Sequence, residues 1–269
     1  MVDLKHKFVK TSSEDTFEIV DHMLYRDDTP VPFVPHDKRN GRSTIIPKWF
    51  VYHYHAGREN LQSLVSYLKK SSTRADVHLC MDRNGHVVQM APFNEACWHV
   101  GSSSYGGLSG LNSHTIGIEV TNPGALEIIG NNTYKSWFGK IFKNDSSKGH
   151  IISEARHKHG GSMKGWLEYS PEQIQVLTSI YEAIHEEYGI DIIGHDDTTK
   201  RKSDPGPFSK INEIREKVKN GDRSDDTEII EEPVIVIKED EIPEGARFVK
   251  MLFKFINALI SKGKENEKR

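Results

Sequence analysis

The sequence predicts an α/β protein, with a mixed central β-sheet flanked by helices. Three observations carry this. Strand-like and helix-like segments alternate along the chain, without a regular strand–helix–strand repeat. One run alternates cleanly between apolar and polar or small residues over 115–120. Two short apolar runs flank Arg83-Asn84-Gly85, and Asn-Gly is a strong hairpin signal.

The elements follow in order. Residues 1–43 are polar, with Pro30, Pro32 and Pro35, and read as an N-terminal arm leading into the first strand. "WFVYHYHAG" (49–57) is rich in aromatic and β-branched residues and reads as that strand. Residues 58–70 carry apolar side chains at 61, 64, 65 and 68, the helical period. Residues 75–92 form the predicted hairpin. In "HTIGIEVTN" (114–122), Ile116, Ile118 and Val120 fall on one face, and Thr115, Gly117 and Glu119 on the other, as in a half-buried strand. Residues 123–168 hold Trp137, Phe138, Phe142, His150, His157 and His159 without a clear period, and read as an irregular surface insertion.

Helix signals return over 171–188. Ser170 and Gln173 make a capping box, Pro171 takes the first helical position, and Gly189 suits the left-handed end. "DIIG" (191–194) is a short strand, and 208–219 is a last helix with Ile211, Ile214 and Val218 on one side. The main domain is therefore placed at 44–220, followed by an acidic linker at 221–245 and an amphipathic helix at 246–269. In 247–261, Lys250, Lys254, Asn257 and Ser261 form a narrow polar stripe on an otherwise apolar helix. Packing on the domain, self-association and membrane-surface attachment are the uses such a helix has.

Composition removes some classes. With 36 Lys and Arg against 39 Asp and Glu, the mixed net charge of −3 argues against a nucleic-acid binder. Two cysteines, Cys80 and Cys97, make no disulfide framework. The N-terminus lacks an apolar core and a small-residue cleavage site, so cytoplasmic synthesis without a secretory signal is expected. No apolar run reaches the roughly 18 residues of a spanning helix.

The chemistry lies in four stretches. His53 and His55 share a face of the first strand. "GHDDTTKRKSDPGP" (194–207) brings His195, Lys202 and Asp204 into one loop, with Pro205 biasing Asp204 to an extended backbone. Two imidazoles and one carboxylate are a catalytic zinc set, because three protein ligands leave a fourth position for water. Taken in order, "VYHYHAG", "ADVHLCMDRNGHVVQMAPFNEACWHVG", "GLNSHTIGIEVTNPG" and "GHDDTTKRKSDPGP" resemble the zinc-dependent N-acetylmuramoyl-L-alanine amidases of the type 2 family. These share a fold with peptidoglycan recognition proteins. The likeness covers roughly 44–218.

The resemblance implies Zn2+ held by His53, His195 and Asp204, and catalytic roles for Glu119 and Lys202. It also implies a peptidoglycan or muropeptide substrate. Glu119 would move the proton and Lys202 would stabilise the oxyanion. His55 departs from the threonine usual in similar sequences, and is a candidate for substrate binding or for competition with His53 for the metal. His99, in "CWHVG", matches a family histidine near the cleft and is a candidate for substrate binding or for a structural role. Some phage members carry a tyrosine where Val77 stands, so a Glu119-based mechanism is expected. The expected role is that of a phage or prophage endolysin acting on the wall after release. A cytoplasmic recycling amidase and a non-catalytic peptidoglycan-binding module are the alternatives.

Overall fold

The structure is a computed structural model that describes residues 15–37, 42–70, 72 and 75–220. The acidic linker and the C-terminal helix expected at 221–269 lie outside the described residues. No described helix is long and apolar enough to cross a membrane.

The chain begins with a small antiparallel sheet, β1 (Phe17–Val20), β2 (Met23–Arg26) and β3 (Thr29–Pro30). A polar arm was the sequence expectation for this segment, and its described part differs. Leu24 and Val31 are buried in the main core, with Phe17 and Ile19 packed against it. The strands are too short and too charged to register as apolar runs. Their turns put Asp21, His22, Asp27 and Asp28 at positive φ, which Asp and His tolerate better than most residues.

Next come β4 (Trp49–Tyr54), α1 (Leu61–Lys69), β5 (Leu79–Met81), β6 (Val87–Gln89), a ribbon of β7 (Ser104–Tyr105) with β8 (Leu108–Ser109), and β9 (Thr115–Val120). A second group is β10 (Ala125–Gly130), β11 (Thr133–Lys135), β12 (Ile141–Lys143), β13 (Ile152–His157) and β14 (Gly160–Leu167). The chain then forms α2 (Pro171–Tyr188), β15 (Asp191–Gly194), α3 (His195–Thr198) and α4 (Ile211–Lys219).

The central sheet has the order β15-β4-β9-β5-β6. It is parallel from β15 to β5 and closes with the antiparallel β5–β6 hairpin, so it is the mixed sheet the sequence predicts. Gly85, at φ 73°, provides the left-handed turn residue of that hairpin. One face of the sheet carries Phe50, Tyr52, Ile116 and Ile118 into a core with Val176, Leu177, Ile180 and Tyr181 of α2. α1 covers the β5–β6 side of the other face, where Leu61, Leu64, Val65 and Leu68 meet Val77, Cys80, Val88 and Met90. α2 has the predicted caps: Ser170 accepts from the Gln173 backbone, the Gln173 side chain reaches back, and Gly189 is left-handed.

Residues 125–167 are not irregular. They form a second, fully antiparallel sheet in the order β12-β11-β10-β14-β13. Its core is only Leu126, Tyr134, Phe142, Ile152 and Leu167. About one buried apolar side chain per strand leaves too faint a period to read from sequence. This sheet is fastened to the segment that follows β4. The Trp137 indole N–H donates to the Ala56 carbonyl at 2.5 Å, and Lys140 reaches Glu59 at 3.0 Å. Arg83 adds bonds to the carbonyls of Glu168 (2.9 Å) and Gly149 (2.7 Å).

Candidate metal centre

Three strands position the site. In register, His53 of β4 lies directly beside Glu119 of β9, and Gly194 of β15 beside Tyr52. Odd-numbered side chains of β4 and β9 point away from α2, so Val51, His53, Thr115, Gly117 and Glu119 share the opposite face. The chain leaving β15 places His195 next to His53. Gly194 is needed there, since a Cβ would lie 2.4 Å from Asp196 Oδ1 and 2.7 Å from Pro205 Cδ.

The loop after α3 returns Asp204 to the same point. The Asp196 N–H donates to the Asp204 carbonyl at 2.8 Å, and the Tyr169 hydroxyl to the Pro205 carbonyl at 2.8 Å. Ser203 bonds the Tyr54 hydroxyl at 2.5 Å. The Asp204–Pro205 peptide is cis.

His53 Nδ1, His195 Nδ1 and Asp204 Oδ2 converge. The two nitrogens are 3.0 Å apart and each is 2.8 Å from the carboxylate oxygen. Among the described residues these three are the group placed to hold a metal ion, and all three are buried. Ligand bonds of about 2.0–2.1 Å in a tetrahedron separate donor atoms by about 3.3 Å, close to what is found.

The donor chemistry also fits a cation. His195 Nε2 lies 3.2 Å from the Val100 carbonyl, which can only accept, so Nε2 carries the proton and a neutral ring leaves Nδ1 bare. A bare nitrogen facing a carboxylate oxygen is favourable only with positive charge between them. Burial alone would raise Asp204, but its contacts with the His195 and His53 rings outweigh it and hold the carboxyl well below the usual range. Burial, with His195 next, lowers His53 to about 4, which keeps the ring neutral as a ligand must be.

Glu119 sits at the edge of this group. Its Oε2 is buried and has no hydrogen-bond partner. Desolvation pushes its carboxyl up to about 8, with nearby Asp204 adding and Lys202 opposing. Lys202 is exposed on the loop and close enough to act electrostatically on both His53 and Glu119.

The other predicted residues fall elsewhere. His55 is outside the metal-holding group. β4 has ended at Tyr54 and the chain turns at Ala56, at φ 54°. The His55 ring lies over Gly57, where a Cβ would be 2.2 Å from its Nε2, and burial lowers it to about 4. His99 is buried behind His53. Its Nδ1 is 2.9 Å from His53 Nε2 and its Nε2 is 3.1 Å from the Thr115 hydroxyl, so both ring nitrogens are engaged within the protein. Thr115 and His78 are participants that sequence reasoning missed. His78 Nδ1 accepts from the Gly117 N–H at 3.0 Å, and its Nε2 donates to the Glu95 carbonyl at 2.8 Å. The available signal was Gly117, since glycine inside a strand marks a close approach.

The family model described as N-acetylmuramoyl-L-alanine amidase matches residues 42–207, well over half of the chain, and spans His53, His195 and Asp204. The chain belongs to the N-acetylmuramoyl-L-alanine amidase family. Curated amidases of this kind match over shorter stretches. The 1,6-anhydro-N-acetylmuramyl-L-alanine amidase AmpD of Citrobacter freundii is 40% identical over 53 residues, 20% of this chain and 28% of that protein. AmpD of Haemophilus influenzae is 32% identical over 107 residues, 36% of this chain and 57% of that protein. The chain thus spans little more than a quarter of the first relative's length. Among solved amidases, AmiD of E. coli, in complex with an anhydro-N-acetylmuramic acid peptide, has a TM-score of 0.46 at 22% identity, covering 74% of this chain and 64% of that one. The endolysin LysCS from Clostridium intestinale has a TM-score of 0.43 at 17% identity, covering 71% and 94%.

Proposed function

We propose that the chain is a zinc-dependent N-acetylmuramoyl-L-alanine amidase. It would cleave the amide between the lactyl group of N-acetylmuramic acid and the L-alanine of the stem peptide. The observation that carries this is the buried convergence of His53 Nδ1, His195 Nδ1 and Asp204 Oδ2 beside the unpartnered Glu119 carboxylate. When bound, zinc supplies Lewis acidity and makes water acidic enough to deliver hydroxide near neutral pH.

The chain's own residues do the rest. Glu119 accepts the proton of the attacking water and gives it to the departing amino group of L-alanine. Its raised proton affinity suits that return step. The Lys202 ammonium offsets charge developing on the carbonyl oxygen. Purified protein loaded with zinc should release stem peptides from muropeptides. Glu119→Ala should lose turnover by at least about 100-fold while retaining zinc. Absence of stem-peptide release by the zinc-loaded protein would refute the assignment.

Wall lysis after release is the role the sequence favours, through a C-terminal extension outside the described residues. A second reading draws support from the relatives, whose names specify 1,6-anhydro-N-acetylmuramyl-L-alanine. Digestion of intact sacculi against soluble anhydromuropeptides separates the two. A lytic enzyme clears sacculi, and a recycling enzyme turns over only the soluble substrate.

A further inference from the structure

We infer that His99 is a positioning residue for the metal centre. With Thr115 it forms a buried hydrogen-bond chain that fixes His53 in the tautomer whose Nδ1 is bare toward the metal. This rests on the metal-centre reading above and adds a residue to it.

The polarity of the chain follows from its far end. The Thr115 hydroxyl donates to the Leu111 carbonyl at 2.7 Å, which can only accept. With its one proton used, Thr115 Oγ1 accepts from His99 Nε2 at 3.1 Å. The Thr115 carbonyl, 3.4 Å from the same nitrogen, is a second pure acceptor. His99 Nε2 therefore carries the proton, and neutral His99 presents a bare Nδ1. The 2.9 Å contact from His99 Nδ1 to His53 Nε2 then requires the proton on His53 Nε2. Neutral His53 is left with a lone pair on Nδ1, the atom facing His195 and Asp204.

The packing enforces this order. His99 and Thr115 are 8% and 0% exposed, so water does not substitute for either bond. The rings of His53 and His99 meet edge to face, with centroids 5.1 Å apart. His99 lies so close to β9 that a Cβ on Gly117 would be 2.4 Å from its Nδ1. Gly117 is thus the space that lets the imidazole approach His53. A metal-binding histidine needs its second nitrogen held, and loss of such a partner typically costs 10–100-fold in metal affinity.

The test measures zinc affinity of the full chain by chelator competition, beside the melting temperature of the metal-free protein. His99→Leu should weaken zinc binding by about 10–100-fold. His99→Asn places a carbonyl oxygen near the position of Nδ1 and should recover most of that loss. Gly117→Ala should also weaken zinc by displacing the ring, with every polar group retained. Long-range proton–nitrogen NMR spectra of the zinc-loaded wild type should show His99 protonated on Nε2 only. Wild-type affinity in both His99→Leu and Gly117→Ala would overturn the role of His99, as would His99→Asn no better than His99→Leu. A wild type that binds no zinc would instead overturn the metal-centre reading itself.

Discussion

At Glu119 a carboxyl is held where burial favours its neutral form, up to about 8 against an ordinary 4.5. The sign of the consequence is fixed. In metal-free protein the fold keeps its full advantage below about pH 4.5 and loses it as pH rises through about 8. Glu119→Gln should therefore raise the melting temperature at pH 9 and leave it unchanged at pH 4. Equal melting temperatures at both pH values would remove the buried charge from the account. His78 presents the complementary case. Its two bonds satisfy the Gly117 N–H and the Glu95 carbonyl inside the core. His78→Leu should cost about 1–3 kcal/mol in urea unfolding, because the strand N–H is left without a partner.

Single elements differ in how much of themselves they advertise. α2 was legible to the residue, because Ser170, Pro171, Gln173 and Gly189 are local signals that need no tertiary partner. Ser170→Ala should accordingly cost about 1 kcal/mol, read as a shift in urea midpoint. β9 was half legible. Its alternation was correct, but the Thr115, Gly117 and Glu119 face is turned toward the buried site rather than to solvent. Convergence of His53, His195 and Asp204 was expected only by resemblance, since spacing along a chain says nothing about loops folding back. His99 was placed near the cleft with a substrate contact and a structural role both open, because no sequence pattern distinguishes a histidine facing substrate from one facing another histidine. The β10–β14 sheet was missed because its five strands share a thin core and otherwise present polar residues.

For the whole molecule, the buried histidines set the acid limit. Burial lowers His53, His55 and His78 from 6.5 to about 4, and lowers His99 as well. Depressed values mean stability that is complete above about pH 6.5 and lost as pH falls toward 4. The melting temperature should drop across that window, and bound zinc should leave with it, because protonated imidazoles are not ligands. A flat profile from pH 7 to pH 4 would contradict the burial argument. The ligands also come from distant parts of one chain, His53 and His195 being 142 positions apart. An ion gripping both ends would act as a removable cross-link, closing a long polymer loop whose closure entropy is otherwise borne by packing alone. Chelation should therefore loosen more than the site: β4 and β15, paired at one end of the central sheet, should exchange their amide hydrogens faster once the ion is gone.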